Sequence, residues 1–362
     1  MLKAGNDLGL SPAERDIINL VQQGVCFHEG FASSNMLSVK SVLKPNLFRG
    51  NVAVVTGGGT GIGKAIASEL ASLGCNVVIA SRNESKLNDA AEVLNRNPTL
   101  SGRITPMQCN IRKPDQVKTL FKNTVKMFGK LDYLVNNGGG QFLSPAENIS
   151  PKGWHAVIET NLTGTFYCCQ TVFNEWMAEN GGVIVNIVVD MWRGYPFLSH
   201  TGAARAAVDN LTKSLAIEWI SKGVRINSVA PGTIFSETAV ANYPPNTFDE
   251  AKKIQPSCRL GVPEEISGVV CFLLSPAASF ITGETVKVDG AQSLYDQPIK
   301  VPPHNKLPTW KWSKLFFISG TNFKVPNIFN YMRTHTIMGS QKAGIQNDHL
   351  EGGYQRKMKI CI

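Results

Sequence analysis

Residues 54–66 read VVTGGGTGIGKAI: an apolar run, a glycine-rich turn, then a stretch with helical spacing. In that order the three parts form a strand, a tight turn and a helix. Gly57 permits the turn, Gly61 lets backbone approach a pyrophosphate, and Gly63 allows close packing of the helix. The helix N-terminus then presents its positive dipole to phosphate. A glycine cluster alone is a weak signal, and the strand and helix on either side are what make this one specific.

Working outward, the runs NVAVVT, NVVIAS, RITPMQ, LDYLVN, GVIVNIVV, RINSVA and ETVKVD between residues 51 and 289 are strand candidates, separated by amphipathic stretches of helical length. Strands alternating with helices predict βαβ units and a doubly wound, Rossmann-type parallel sheet of about seven strands with helices on both faces, as a single α/β domain over residues 48–295. Residues 1–47 read as an N-terminal arm, with Ser11 and Glu14 in capping-box spacing ahead of a short helix. Residues 296–362 are rich in Pro, Lys and aromatics without sustained periodicity and read as an irregular tail.

The 362 residues are 43% hydrophobic and 17% charged, the balance of a globular protein with a sizeable core. The formal charge of +9 comes from dispersed Lys and Arg with no basic, aromatic-laced run, which favours small anionic ligands over nucleic acid. Eight scattered Cys show no C-x-x-C pair and no His at metal-ligand spacing, so no metal site is expected and free thiols in a reducing compartment fit best. No apolar run approaches the ~20 residues of a membrane span.

The end of the second strand candidate selects the dinucleotide. An NAD site places an acid there for the ribose 2′-hydroxyl, whereas this chain has Ala80, Ser81 and Arg82. Arg82 can grip a 2′-phosphate through a bidentate, charge-assisted pair, so the expected cofactor is NADPH.

These residues resemble the short-chain dehydrogenase/reductase family. TGGGTGIG matches its T-G-x-x-x-G-x-G turn, NNGGG (residues 136–140) resembles its N-N-A-G signature, and RINSVAPGTIFSETA (residues 225–239) resembles the segment that closes over nicotinamide. The resemblance implies cofactor contacts at Gly57, Thr60, Gly61, Ile62 and Gly63 in the turn and at Ser81 and Arg82 beyond the second strand. It implies further contacts at Asn110, Asn137, Gly138, Arg205, Pro231, Gly232 and Ile234, and it makes Asn161 the helix-bending residue that orders active-site water.

The family usually carries a Ser after its fifth strand and a Tyr-x-x-x-Lys on the next helix. Aligned on RAAVDNLTKSLA (residues 205–216), the Tyr position is Thr201 and the Lys position is Arg205, while the Ser region offers Val188 and Val189. A Thr hydroxyl has no usable pKa near neutrality and Arg cannot shuttle protons, so exchange between carbonyl and alcohol is disfavoured. Reduction of a C=C bond conjugated to a thioester needs only donors for an enolate oxygen and a proton for the α-carbon, and it tolerates these losses.

Within the family, residues 136–167, 200–219 and 271–290 are most similar to the peroxisomal trans-2-enoyl-CoA reductases, with the peroxisomal 2,4-dienoyl-CoA reductases more distant. That similarity implies an acyl-CoA substrate, a role in fatty-acid elongation, homo-oligomers and peroxisomal residence. The enoyl reductases can show a Tyr four residues before the Lys of NLTK, where this chain has Asp209 ahead of Lys213. Asp209, or a water it holds, is therefore a candidate proton source, against the alternative of an ion-pair cluster with Arg205 and Lys213. The chain ends in KICI rather than a Ser-Lys-Leu-like tripeptide, which leaves a cytoplasmic location open. Phe142, Trp192, Tyr195 and Phe197 are candidates to line an acyl channel, and Tyr195 is also a candidate replacement acid. His155 and His200 read as surface or packing residues. Two alternatives remain: a 2,4-dienoyl-CoA reductase, and a non-catalytic NADP(H)-binding protein.

Overall fold

A computed structural model describes residues 43–294, apart from 242, 245 and 246. The expectations for the N-terminal helix and for the tail lie outside the described residues. Seven strands form one parallel sheet in the order β3-β2-β1-β4-β5-β6-β7. They are β1 (Val52–Thr56), β2 (Asn76–Ser81), β3 (Ile104–Gln108), β4 (Tyr133–Asn136), β5 (Gly182–Ile187), β6 (Val224–Pro231) and β7 (Thr285–Val288). Each falls within one of the seven predicted runs or within one residue of it.

Side chains on a strand alternate between faces, and both faces of this sheet are apolar. Ala53, Val55, Val77 and Ile79 pack with Ile66 and Leu70 of α1 (Gly61–Ser72), Leu87 and Leu94 of α2 (Glu84–Asn95), and Ile266 and Val270 of a helix over Pro263–Leu274. Val52, Val54, Val78 and Ala80 pack oppositely, against α3 (Pro114–Phe128) and later helices. After β4 the chain enters α4 (Pro151–Ile158), passes through a π-turn (Glu159–Thr163) and continues as α5 (Gly164–Val172). Following β5, a loop leads to the 21-residue α6 (Ser199–Trp219). The domain's packing begins earlier than residue 48, because Leu43 and Leu47 lie against the first core layer.

A buried polar row crosses the face under α6. Asn136 donates to Asn186 at 2.9 Å, Asn186 donates to Thr212 at 2.9 Å, and Thr212 meets Ser228 at 2.8 Å. These side chains tie β4, β5 and β6 to the middle of α6 and set its register on the sheet.

Candidate active site

The strand order reverses between β1 and β4, and the crevice beyond the carboxyl ends of those strands is where this topology binds ligands. Gly57 has φ +67° and Gly61 φ +50°, conformations that L side chains rarely adopt. A Cβ on Gly63 would collide with the Gly57 carbonyl and the Asn137 amide, so glycine there is what lets α1 reach the turn. Thr60 caps α1 without a side-chain hydrogen bond, and the first turn carries no acid. The leading N–H groups of α1 therefore remain available to an anion. From β4, Asn137 and Gly138 donate their backbone N–H groups to Thr56 Oγ1 at 3.1 and 2.9 Å, stapling the second signature loop to the glycine turn.

Ser81 ends β2, and Arg82 beyond it is exposed with no ion-pair partner among the described residues. Asn110 accepts from the Arg112 N–H at 3.2 Å and donates its own N–H to Gln116. Ile111 fills the space beside Gly138 and Gly164, where a Cβ would come to 3.2 and 2.8 Å of it. Pro231 ends β6, the Gly232 N–H reaches the Val288 carbonyl at 3.0 Å, and Ile234 bridges to Gly261. This donor set, with an uncapped helix end, bare glycine backbone and a free Arg at the second strand, fits a phosphorylated dinucleotide.

Asn161 lies within the π-turn, 1% exposed, and its amide pairs with Gly140 in both directions: Oδ1 accepts from the Gly140 N–H at 3.1 Å and Nδ2 donates to its carbonyl at 2.7 Å. Thr201 and Arg205 project from the first turns of α6 and are buried. Arg205 donates Nη1 to the Ile187 carbonyl at 2.7 Å, while its Nε and the Thr201 hydroxyl have no protein partner. A Cβ on Gly139 would collide with both Arg205 Nη2 and Asn161 Oδ1. Gly139 thus leaves the space in which the guanidinium and the Asn161 amide come together. Burial pulls the Arg205 guanidinium down to about 10, with Tyr195 opposing.

Asp209 and Lys213 are not brought to this group. Lys213 pairs with Asp209 Oδ2, and Thr285 donates to Asp209 Oδ1 at 2.6 Å. Thr285 pairs with Ser228, three residues or about 10 Å short of the end of β7. Asp209 is also eight residues, about 12 Å, along α6 from Thr201. Arg205 does not join the ion pair, because its guanidinium turns to the Ile187 carbonyl.

Two further polar residues receive no functional role from the sequence. Asp190 lies three residues past the end of β5, and its Oδ1 is buried without a partner; burial, then Asp289, raises its carboxyl above the usual range. His200 is fully buried, the packing alternative of its sequence reading. Its Nδ1 accepts the Thr201 N–H at 3.0 Å, its Nε2 has no partner, and Phe142 stands edge-on at 4.5 Å. His155 is exposed, as expected. Phe142, Trp192 and Phe197 are 41%, 45% and 55% exposed, which sets them at a surface rather than in the core.

The family model described as Enoyl-(Acyl carrier protein) reductase matches residues 57–291. The chain belongs to the short-chain dehydrogenase/reductase family and is an oxidoreductase of that type. Among curated relatives, it is 39% identical over 254 residues to a probable 2,4-dienoyl-CoA reductase of Bacillus subtilis, covering 68% of this chain and 97% of that one. It is 37% identical over 252 residues to the peroxisomal 2,4-dienoyl-CoA reductase of Danio rerio, covering 69% and 83%. Among solved structures, a citronellol catabolism dehydrogenase of Pseudomonas aeruginosa superposes with TM-score 0.63 at 42% identity, covering 70% of this chain and 99% of that chain.

Proposed function

We propose that this chain uses NADPH to reduce the 2,3 double bond of trans-2-enoyl-CoA esters to acyl-CoA, as a step of fatty-acid elongation. The observation that carries the reading is the pair of buried donors, Thr201 Oγ1 and Arg205 Nε, both without protein partners, where a carbonyl reductase needs a titrating Tyr and Lys. When bound, NADPH supplies the hydride. The chain's part is to hold the dinucleotide along the glycine turn, Asn110, Asn137, Gly138 and the segment from Pro231 to Ile234, with Arg82 on the 2′-phosphate. Thr201 and Arg205 then offer hydrogen bonds to the negative charge that develops on the thioester oxygen. Asn161, fixed by Gly140, holds an ordered water beside them. Asp209 and Lys213 take a structural part in this scheme, joining α6 to β7.

The test is purified protein with NADPH and a trans-2-enoyl-CoA, followed at 340 nm with the acyl-CoA identified by mass. Consumption of NADPH supports the reading. A second reading, 2,4-dienoyl-CoA reduction, is favoured by the names of the relatives, and faster turnover of a conjugated dienoyl ester selects it. Tight NADPH binding with neither ester consumed leaves a binding protein. Peroxisomal residence and homo-oligomers belong to the same proposal; imaging of the full chain and its mass in solution check them.

A further inference from the structure

We propose, resting on the reductase reading, that the Tyr195 hydroxyl is the acid that protonates the substrate's α-carbon, with Arg205 stabilising the phenolate left behind.

Tyr195 lies in the loop between β5 and α6 rather than on the helix. A Cβ at Gly202 would come to 3.2 Å of Tyr195 Cβ and 3.8 Å of Cδ1, so the ring lies on the first turn of α6 beside Thr201, and glycine at 202 makes room for it. The loop is held at several points. The Leu198 N–H closes a turn on the Tyr195 carbonyl at 3.0 Å, and Arg193 Nη2 donates to the carbonyls of Gln292 and Ser293 at 3.2 and 2.8 Å. Lys287 Nζ stands 4.1 Å over the Trp192 ring. Such a loop presents its phenol in a fixed place, which general acid catalysis requires.

Arg205 supplies the second half. It is a buried cation that donates to a neutral carbonyl and, among the described residues, its Nε has no partner. The ionisable side chain whose charge acts on it is Tyr195. The charged and titratable groups whose fields reach the phenol are Tyr243, Asp190 and Arg205, and Tyr243 in turn accepts from Gln141. Burial raises the phenol to about 12, with Tyr243 and Asp190 adding and Arg205 opposing. At neutral pH the hydroxyl therefore keeps its proton to give.

The step balances. Once the β-carbon has accepted hydride, the substrate is an enolate. The Tyr195 O–H bond breaks, a C–H bond forms at the α-carbon, and the field of the Arg205 guanidinium stabilises the phenolate until solvent returns a proton to the partly exposed Tyr195.

Tyr195→Phe keeps the ring and its packing on Gly202. The expected result is a fall in kcat of about 100-fold, within the range for loss of a general acid, with KM and NADPH affinity little changed. In deuterated water the wild type should place deuterium on one face of the α-carbon, as read by NMR of the product, and Tyr195→Phe should scramble the two faces. Gly202→Ala, helix-favouring in itself, should displace the ring and lower kcat, and should add nothing in the Tyr195→Phe background. An active wild type whose Tyr195→Phe variant keeps its kcat or its stereochemistry overturns this proposal alone. A wild type that binds NADPH but reduces neither ester overturns the reductase reading and this one with it.

Discussion

Asp209 shows how a single residue's partners decide its role. Both carboxylate oxygens are taken, one by Thr285 and one by Lys213. Helical spacing makes the contact with Lys213 readable from the sequence, because residues four apart share a face. The contact with Thr285 spans 76 positions and is not readable. Asp209→Asn should therefore retain turnover within about threefold, since an Asn oxygen still accepts from Thr285, and should cost about 0.5–1 kcal/mol of stability in urea unfolding. A large loss of kcat would return Asp209 to the chemistry. Asp190 behaves differently. Its carboxyl is raised above 3.8 by burial, so the folded state binds that proton more tightly than the unfolded chain does. Stability from this group is present below the unfolded pKa and is lost as pH rises through the folded value. Asp190→Asn should raise the melting temperature at pH 7, and the gain should shrink towards pH 4. A gain that grows on acidification would contradict the assignment.

At the scale of elements, the register of α6 on the sheet determines whether Arg205 reaches the Ile187 carbonyl. That register is set by the buried row Asn136, Asn186, Thr212 and Ser228. The strands and the glycine turn were legible because their signals are local: apolar runs of strand length, and glycines where a turn needs positive φ. The row was not, because its members are 16 to 50 residues apart in each pair and each reads alone as an ordinary Asn, Thr or Ser. The π-turn at Asn161 was legible only through resemblance, and the need for glycine at 139 appears once Arg205 and Asn161 are seen on either side of it. Asn186→Leu, alike in branching, would leave the Asn136 amide and the Thr212 hydroxyl short of a partner. It should cost about 2–4 kcal/mol in denaturant unfolding. Because Ile187 is the next residue, kcat should fall as well. A variant with wild-type stability would show that core packing alone holds α6.

Across the whole molecule, the proposed site runs from Arg82 beyond β2, past the point where strand order reverses, to Thr201 and Arg205 on α6. The two ends do separable work. Arg82 is exposed and follows β2, whereas Thr201 and Arg205 are buried on α6, so in the proposed scheme it acts on how tightly the phosphorylated end of the dinucleotide is held. A charge-assisted pair with a 2′-phosphate contributes about 1.5–3 kcal/mol, roughly 10- to 100-fold in affinity. Arg82→Ala should raise KM for NADPH by that factor, leave kcat within twofold and leave KM for NADH unchanged, so that selectivity falls while the chemistry survives. The loss should be smaller at high salt, because screening weakens the exposed wild-type pair. An equal loss with NADPH and NADH would mean that Arg82 grips something other than the 2′-phosphate. A fall in kcat instead of a rise in KM would join the two ends of the site into one unit, which the exposure of Arg82 and the burial of Arg205 argue against.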